Sequence, residues 1–127
     1  MSKFETRIGR RAYILLGASV GLADIEDGVV ISNRAVVLSG RRQHNFDDPS
    51  RPHMEPRWGF SRVRVGQDSF VGDGAIVMAD VGRGTVIGAG SVVVAAVPDF
   101  VVAVGNPARV VKQRQSAAAS DAPVQAR

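Results

Sequence analysis

A repeat of six residues runs through the middle of this chain and restricts its fold more than any other feature. An amphipathic helix repeats every ~3.6 residues and a half-buried strand every ~2, so a period of six corresponds to a short strand followed by a corner. The aliphatic positions of residues 65–93 are Val65, Val71, Val77, Val81, Ile87 and Val93. A glycine directly follows four of them, at Gly66, Gly72, Gly82 and Gly88. A small residue stands four places after each of the same four aliphatic residues, at Ser69, Ala75, Thr85 and Ser91.

The pattern predicts a parallel β-helix in which the aliphatic side chains point inward. We expect the glycines and Asp73 at corners that need positive φ or close backbone approach.

The same repeat occupies residues 8–38, with one step of five residues between Val20 and Ile25. Arg10 and Arg11 precede a short apolar segment, as in the start of a secretory signal. These residues already satisfy the repeat, and no apolar run approaches the ~20 residues of a membrane span. We therefore expect a cytoplasmic protein. In the later run, the step from Val77 to Val81 is two residues short, which predicts a locally flattened or bulged coil.

Residues 39–62, SGRRQHNFDDPSRPHMEPRWGFSR, interrupt the repeat. The segment holds both histidines, the only tryptophan and three of the six prolines. A long excursion inside a compact domain is usually functional or disordered, and proline stiffens the backbone by fixing φ. We therefore expect an ordered, functional loop.

Composition limits the chemistry. The length of 127 residues fits one domain, and the absence of cysteine removes thiol catalysis and disulfides. Fourteen arginines and two lysines give a formal net charge of +4. This balance attracts phosphates, but basic and aromatic residues do not alternate, so nucleic acid is not expected as a partner.

Three short motifs carry a family resemblance: IGAGSVV at 87–93, Val97-Pro98, and GNPARVV at 105–111. Together with the repeat they resemble the hexapeptide-repeat acyltransferases, over about residues 7–114. The resemblance implies an all-β, left-handed parallel β-helix, an exception to the usual right-handed crossover. We predict a β-helix domain at 1–114 with a loop excursion at 39–62 and a short closing segment. The small, polar residues 115–127 predict a disordered tail.

The resemblance also implies a function: transfer of an acetyl group from acetyl-CoA to a hydroxyl of a sugar or polysaccharide precursor, in a homotrimer. A histidine suits the role of general base, because its ordinary pKa of about 6.5 leaves much of it neutral at pH 7. The family motif places that base at His44 rather than His53. By the same resemblance, the residues that contact the donor are Asp73, Ala89, Arg109 and Lys112, and those that contact the acceptor are Arg42, Asn45 and Trp58.

One departure and two alternatives accompany this interpretation. Relatives often have Thr-Lys where this chain has Val94-Ala95, which removes one polar contact and one cation from the expected donor site. The first alternative is acetylation of a hydroxylated drug, and the second is a non-catalytic β-helix scaffold. A zinc enzyme of the same fold needs three histidine ligands, and two histidines cannot supply them. No metal is expected.

Overall fold

The computed structural model describes residues 5–41, 47–54 and 59–115 of the chain. Within these ranges the secondary structure consists of short strands, without a helix. The strands are β1 (Arg7–Ile8), β2 (Tyr13–Ile14), β3 (Ser19–Val20), β4 (Ala23–Ile25), β5 (Val30–Ile31), β6 (Val36–Val37), β7 (Val63–Val65), β8 (Phe70–Val71), β9 (Ile76–Val77), β10 (Val86–Ile87), β11 (Val92–Val93), β12 (Val101–Val104) and β13 (Arg109–Gln113).

The strands form three sheets that are the faces of a prism. Sheet A contains β1, β4 and β7; sheet B contains β2, β5, β8, β10, β12 and β13; sheet C contains β3, β6, β9 and β11. All pairs are parallel except β12 with β13. From β1 to β9, successive strands pass from sheet A to B to C and back, and the bridged residues Val81 and Val97 continue sheet A in the later coils. The fold is the predicted left-handed parallel β-helix.

The repeat's aliphatic positions form the core. Three columns of fully buried side chains stack from coil to coil, one behind each sheet: Ile25, Val65 and Val81; Ile31, Val71 and Ile87; Val37, Val77 and Val93. Burial of one such side chain contributes roughly 1.5–3 kcal/mol. The small positions are also buried, and their hydroxyls bond to the next coil: Ser69 Oγ donates to the Gly82 carbonyl at 2.6 Å and Thr85 Oγ1 to the Pro98 carbonyl at 2.7 Å.

The corner glycines serve two different purposes. A Cβ on Gly66 would lie 2.4 Å from the Arg83 backbone nitrogen of the next coil, so this position needs close backbone approach. Positive φ occurs further along the corners that follow sheets A and B, for example at Gly74 with φ 67°. Asp73 was expected at a position that needs either positive φ or close backbone approach. Its φ is not positive, and the next residue, Gly74, has the positive φ instead. The expectation of close approach is confirmed, and the positive-φ residues lie further along the corner.

The corner between sheet C and sheet A, which we call the C–A corner, accommodates changes in coil length. Cross-strand partners lie 17 residues apart in the first coil (Tyr13↔Val30) and 16 apart later (Phe70↔Val86). The short step from Val77 to Val81 recurs from Val93 to Val97. Bridges Val65↔Val81 and Val81↔Val97 keep the stack in register. No bulge is found at this step. In the shortened coils, a single bridged residue, Val81 or Val97, takes the place of a strand of sheet A. A register shift occurs instead between Val102 and Ala103, opposite β13.

The outer faces of the three sheets differ in polarity. Sheet A presents charged residues, and Arg62 and Asp24 form an ion pair of 2.9 Å there. Sheet B presents an apolar column in register, with Tyr13 61% exposed and Phe70 40% exposed. Sheet C presents Val36, Ile76 and Val92 in register. Exposed apolar surface of this extent often marks an interaction site.

Candidate active site

The corner between sheet B and sheet C, the B–C corner, brings two predicted donor residues together. Asp73 follows β8 and Ala89 follows β10, and the two occupy equivalent positions one coil apart. The backbone N–H of Gly90 donates to the carbonyl of Asp73 at 2.8 Å. Both residues are exposed. The structure therefore places Asp73 and Ala89 on one edge of the prism.

The carboxylate of Asp73 has a structural role in this corner. Its Oδ1 accepts a short hydrogen bond from Ser32 Oγ and another from the Asn33 backbone N–H at 3.2 Å. Asn33 repeats the arrangement one coil below, where its Oδ1 accepts from the Leu16 N–H at 3.2 Å. A side-chain oxygen of each coil thus satisfies the corner N–H of the coil below it.

This chain of corner hydrogen bonds stops at Ala89. Ala89 has no side-chain oxygen to offer to Asp73, and Gly105 has none to offer to Ala89. Among the described residues, neither the Asp73 N–H nor the Ala89 N–H has a hydrogen-bond partner. Two backbone donors are consequently available along the edge for the amide and carbonyl oxygens of a ligand.

The two predicted phosphate contacts lie on β13, at the end of sheet B. Arg109 pairs with Val104 and Lys112 with Val102. Directly paired residues share a face of the sheet, so both cations belong to the outer face of sheet B. Arg109 is the nearer of the two to the B–C corner, because Val104 ends the strand that leads into it. Arg114, the next cation along the chain, is not one of the predicted phosphate contacts. Its guanidinium donates a hydrogen bond to the Gly84 carbonyl.

The loop that carries the histidines leaves the prism at another edge. It departs after β6 of sheet C and returns at β7 of sheet A, which is the C–A corner. His44 lies outside the described residues, as do Arg42, Asn45 and Trp58. His53 is described and exposed. The tail predicted at 115–127 is described only at Gln115.

The described part of the loop is organised by local hydrogen bonds. Asp48 Oδ1 accepts from the Ser50 hydroxyl at 2.6 Å and from the Ser50 N–H at 2.9 Å. These bonds lower the pKa of the Asp48 carboxyl, so it stays charged at neutral pH. At the loop's return, Arg62 donates to the Glu5 carbonyl at 2.6 Å and ties the loop to the first coil.

One groove lies along the C–A corner and another along the B–C corner. A groove of about 400 Å³ follows the C–A corner and is lined in part by Arg41, Arg62, Met78 and Asp80. A second, of about 340 Å³, follows the B–C corner. It is lined by Leu16, Asn33, Arg34, Asp73 and Gly74.

Of the residues lining the second groove, the sequence predicted only Asp73. Arg34 was missed, although the repeat contains a signal for it. Arg34 stands where the other coils have glycine, at Gly17, Gly74 and Gly90.

The departure from the family sequence at Val94-Ala95 lies in the C–A corner, where Val94 is half-buried and Ala95 is exposed.

Within residues 5–41, 47–54 and 59–115, no group of three or more histidine, aspartate or glutamate side chains could hold a metal ion. No helix long and apolar enough to cross a membrane occurs in the same ranges.

Substitution of Asp73 tests its role as a hydrogen-bond acceptor in the corner. Asp73→Ala leaves the buried Ser32 hydroxyl and the Asn33 N–H without their acceptor, so we expect a loss of about 1–3 kcal/mol in the free energy of unfolding. Asp73→Asn keeps an oxygen at the same place and is expected to cost much less. Denaturant unfolding of the two variants measures the difference, and equal losses would contradict the structural role.

Comparisons with known proteins bear on this site. No family model matches the sequence. The chain is 39% identical over 94 residues to a probable acetyltransferase of Mycobacterium tuberculosis, across 72% of this chain and 31% of that protein. It is 38% identical over 53 residues to a putative acetyltransferase of Saccharomyces cerevisiae, across 40% of this chain and 27% of that protein. The chain thus spans about a third of the length of these curated relatives.

Solved structures share the fold. The polySia specific acetyltransferase NeuO superposes with a TM-score of 0.68 at 28% identity, over 85% of this chain and 51% of NeuO. A hexapeptide-repeat acetyltransferase of Vibrio cholerae, solved with acetyl coenzyme A, gives a TM-score of 0.67 at 22% identity, over 87% of this chain and 61% of that one. By its repeat and its fold, the chain is a hexapeptide-repeat β-helix similar to these acetyltransferases, and the curated relatives that it matches in part are named acetyltransferases.

Proposed function

We propose that this chain transfers an acetyl group from acetyl-CoA to a hydroxyl of a sugar or polysaccharide precursor. The observation that supports this most directly is the B–C corner. It combines unpaired N–H groups at Asp73 and Ala89 with the Arg109 cation one coil further along. An extended ligand with amide groups and an anionic end, such as acetyl-CoA, is complementary to that arrangement.

The proposed reaction uses His44 as the general base. The acceptor hydroxyl oxygen forms a bond to the thioester carbonyl carbon, and His44 takes the hydroxyl proton. The carbon–sulfur bond then breaks, and the CoA thiolate leaves and is protonated. A free backbone N–H at the corner is suited to hold the developing oxyanion. The proposal places the enzyme in the cytoplasm, in accord with the absence of cysteine.

The acceptor class is inferred from the relatives. NeuO is described as specific for polySia, a polysaccharide, and a structure with the same fold is a maltose O-acetyltransferase. Both descriptions name saccharides, and the proposal extends this class to the present chain. A screen of sugars and drug alcohols for thiol release from acetyl-CoA separates a saccharide acceptor from a drug acceptor, and no release with any acceptor favours a scaffold.

A homotrimer belongs to the same proposal. The loop leaves at the C–A corner, whereas the donor residues line the B–C corner, so these two parts of the site lie on different edges of one prism. The apolar outer faces of sheets B and C flank the B–C corner. A neighbouring subunit packed there would bring its own loop to the donor residues.

Light scattering tests the assembly. We expect the mass of three chains in dilute solution, because a single prism leaves two apolar faces exposed and the site divided. An active monomer would contradict the shared site.

Replacement of the histidines tests the base. We expect His44→Ala to lower kcat by roughly 10²–10⁴, the usual contribution of a positioned base, without loss of stability. The matched control is His53→Ala in the same loop, which should keep nearly full activity. The kcat/KM of the parent should rise with pH and level off once the imidazole is neutral. Parent-like activity of His44→Ala would show that the base lies elsewhere.

Replacement of the β13 cations tests the donor site. Arg109→Ala and Lys112→Ala should raise the KM for acetyl-CoA more than they lower kcat, because a phosphate contact is equally strong in the ground and transition states. Arg64→Ala, on the outer face of sheet A, is the control for loss of one positive charge. A fall in kcat alone, or an equal effect of the control, would contradict the assignment.

A further inference from the structure

Arg34 has a backbone conformation that the other coils give to glycine at this corner, although Arg11, Asp68 and Phe100 also have it at the corner between sheets A and B. Its φ is 58°, in the left-handed region, and the equivalent residues of the other coils are Gly17, Gly74 and Gly90 with φ between 67° and 70°. A residue with a Cβ is disfavoured there. Backbone conformations of this kind cluster at active sites and ligand-binding segments, but they do not assign a function by themselves.

Packing does not explain the arginine. Arg34 is exposed, and its Cγ lies 3.3 Å from the place that a Cβ on Gly17 would occupy. The stem therefore extends over Gly17, toward the first coil and away from Ala89. Among the described residues no carboxylate forms an ion pair with its guanidinium.

Arg34 is one of the residues that line the groove of about 340 Å³ at the B–C corner. The other charged residue of that groove is Asp73, and its Oδ1 is already engaged by Ser32 and Asn33. Leu16, 80% exposed, supplies an apolar wall, and Asn33 is a neutral polar neighbour. The groove thus holds one guanidinium that forms no ion pair among the described residues, and one carboxylate whose Oδ1 is bonded to the corner, beside apolar surface.

We propose that Arg34 binds an anionic group, a carboxylate or a phosphate, on the saccharide acceptor. This rests on the proposed acetyl transfer, because the groove continues the donor edge from Ala89 through Asp73 toward the first coil. A guanidinium binds either anion through two parallel hydrogen bonds. The acceptor class is accordingly an acidic sugar or a sugar phosphate rather than a neutral sugar.

The test measures equilibrium binding and needs no turnover. Methyl β-glucuronide, glucose 6-phosphate and the neutral methyl β-glucoside are titrated against the parent and three variants by calorimetry. Arg34→Gly removes the side chain at a position that suits glycine, so its melting temperature should be no lower than that of the parent. Arg34→Lys keeps the charge without the planar fork. Arg11→Gly is the matched control, since Arg11 also has a positive φ, 54°, but lies at the corner between sheets A and B.

We expect the parent to bind one or both of the charged sugars roughly tenfold more tightly than methyl β-glucoside. This is the affinity difference that hydrogen bonds to a charged group predict. Arg34→Gly should abolish this preference, Arg34→Lys should retain part of it, and Arg11→Gly should match the parent. The charged ligand with the larger Arg34-dependent difference identifies a carboxylate or a phosphate as the recognised group.

Four results would overturn the proposal. They are the absence of a preference in the parent, an undiminished preference in Arg34→Gly, an equal loss in Arg11→Gly, and a loss of affinity of Arg34→Gly for the neutral methyl β-glucoside equal to its loss for the charged sugars. Arg34-dependent binding of a charged glycoside without acetyl transfer would leave the anion site standing and refute the proposed reaction instead.

Discussion

Each coil rests on the next through backbone hydrogen bonds that run parallel to the prism axis, and the rest of the structure depends on this stacking. The Gly66 N–H donates to the Val81 carbonyl at 2.8 Å, and the Gly82 N–H to the Val97 carbonyl at the same distance. Such bonds form only if successive coils keep nearly the same path. Individual strands are two to five residues long, so cross-coil register, rather than strand length, holds the molecule together.

The stacking constraint explains the chemistry of the corners. A corner turns sharply, and a left-handed residue recurs at the same level of successive coils, as at Gly74 and Gly90. Side-chain oxygens bond the corner backbone of the coil below, as Asp27 Oδ1 accepts the Arg10 N–H at 2.8 Å. Where such an oxygen is missing, as at Ala89, the Asp73 N–H of the coil below has no hydrogen-bond partner among the described residues.

The sequence predicted the architecture well because the six-residue repeat records the inward positions directly. It did not predict that Asp73 accepts hydrogen bonds from Ser32 and Asn33, since that contact joins residues about 40 positions apart across an inserted loop. The positive φ of Arg34 was not predicted either, because an exposed arginine looks ordinary until its backbone conformation is known. A bulge, one of the two distortions expected at Val77–Val81, is not found; the short step recurs at Val93–Val97, which makes it the regular length of the later coils.

The C–A corner has a consequence for how this fold can vary. The short turns at 78–80 and 94–96 contain no left-handed residue, and the same edge of the prism accepts the long loop that begins after Val37. Deletions and insertions are thus confined to one of three edges, while the other two keep a fixed geometry. A loop at this edge can therefore change in length and sequence without altering the backbone path of the other two edges.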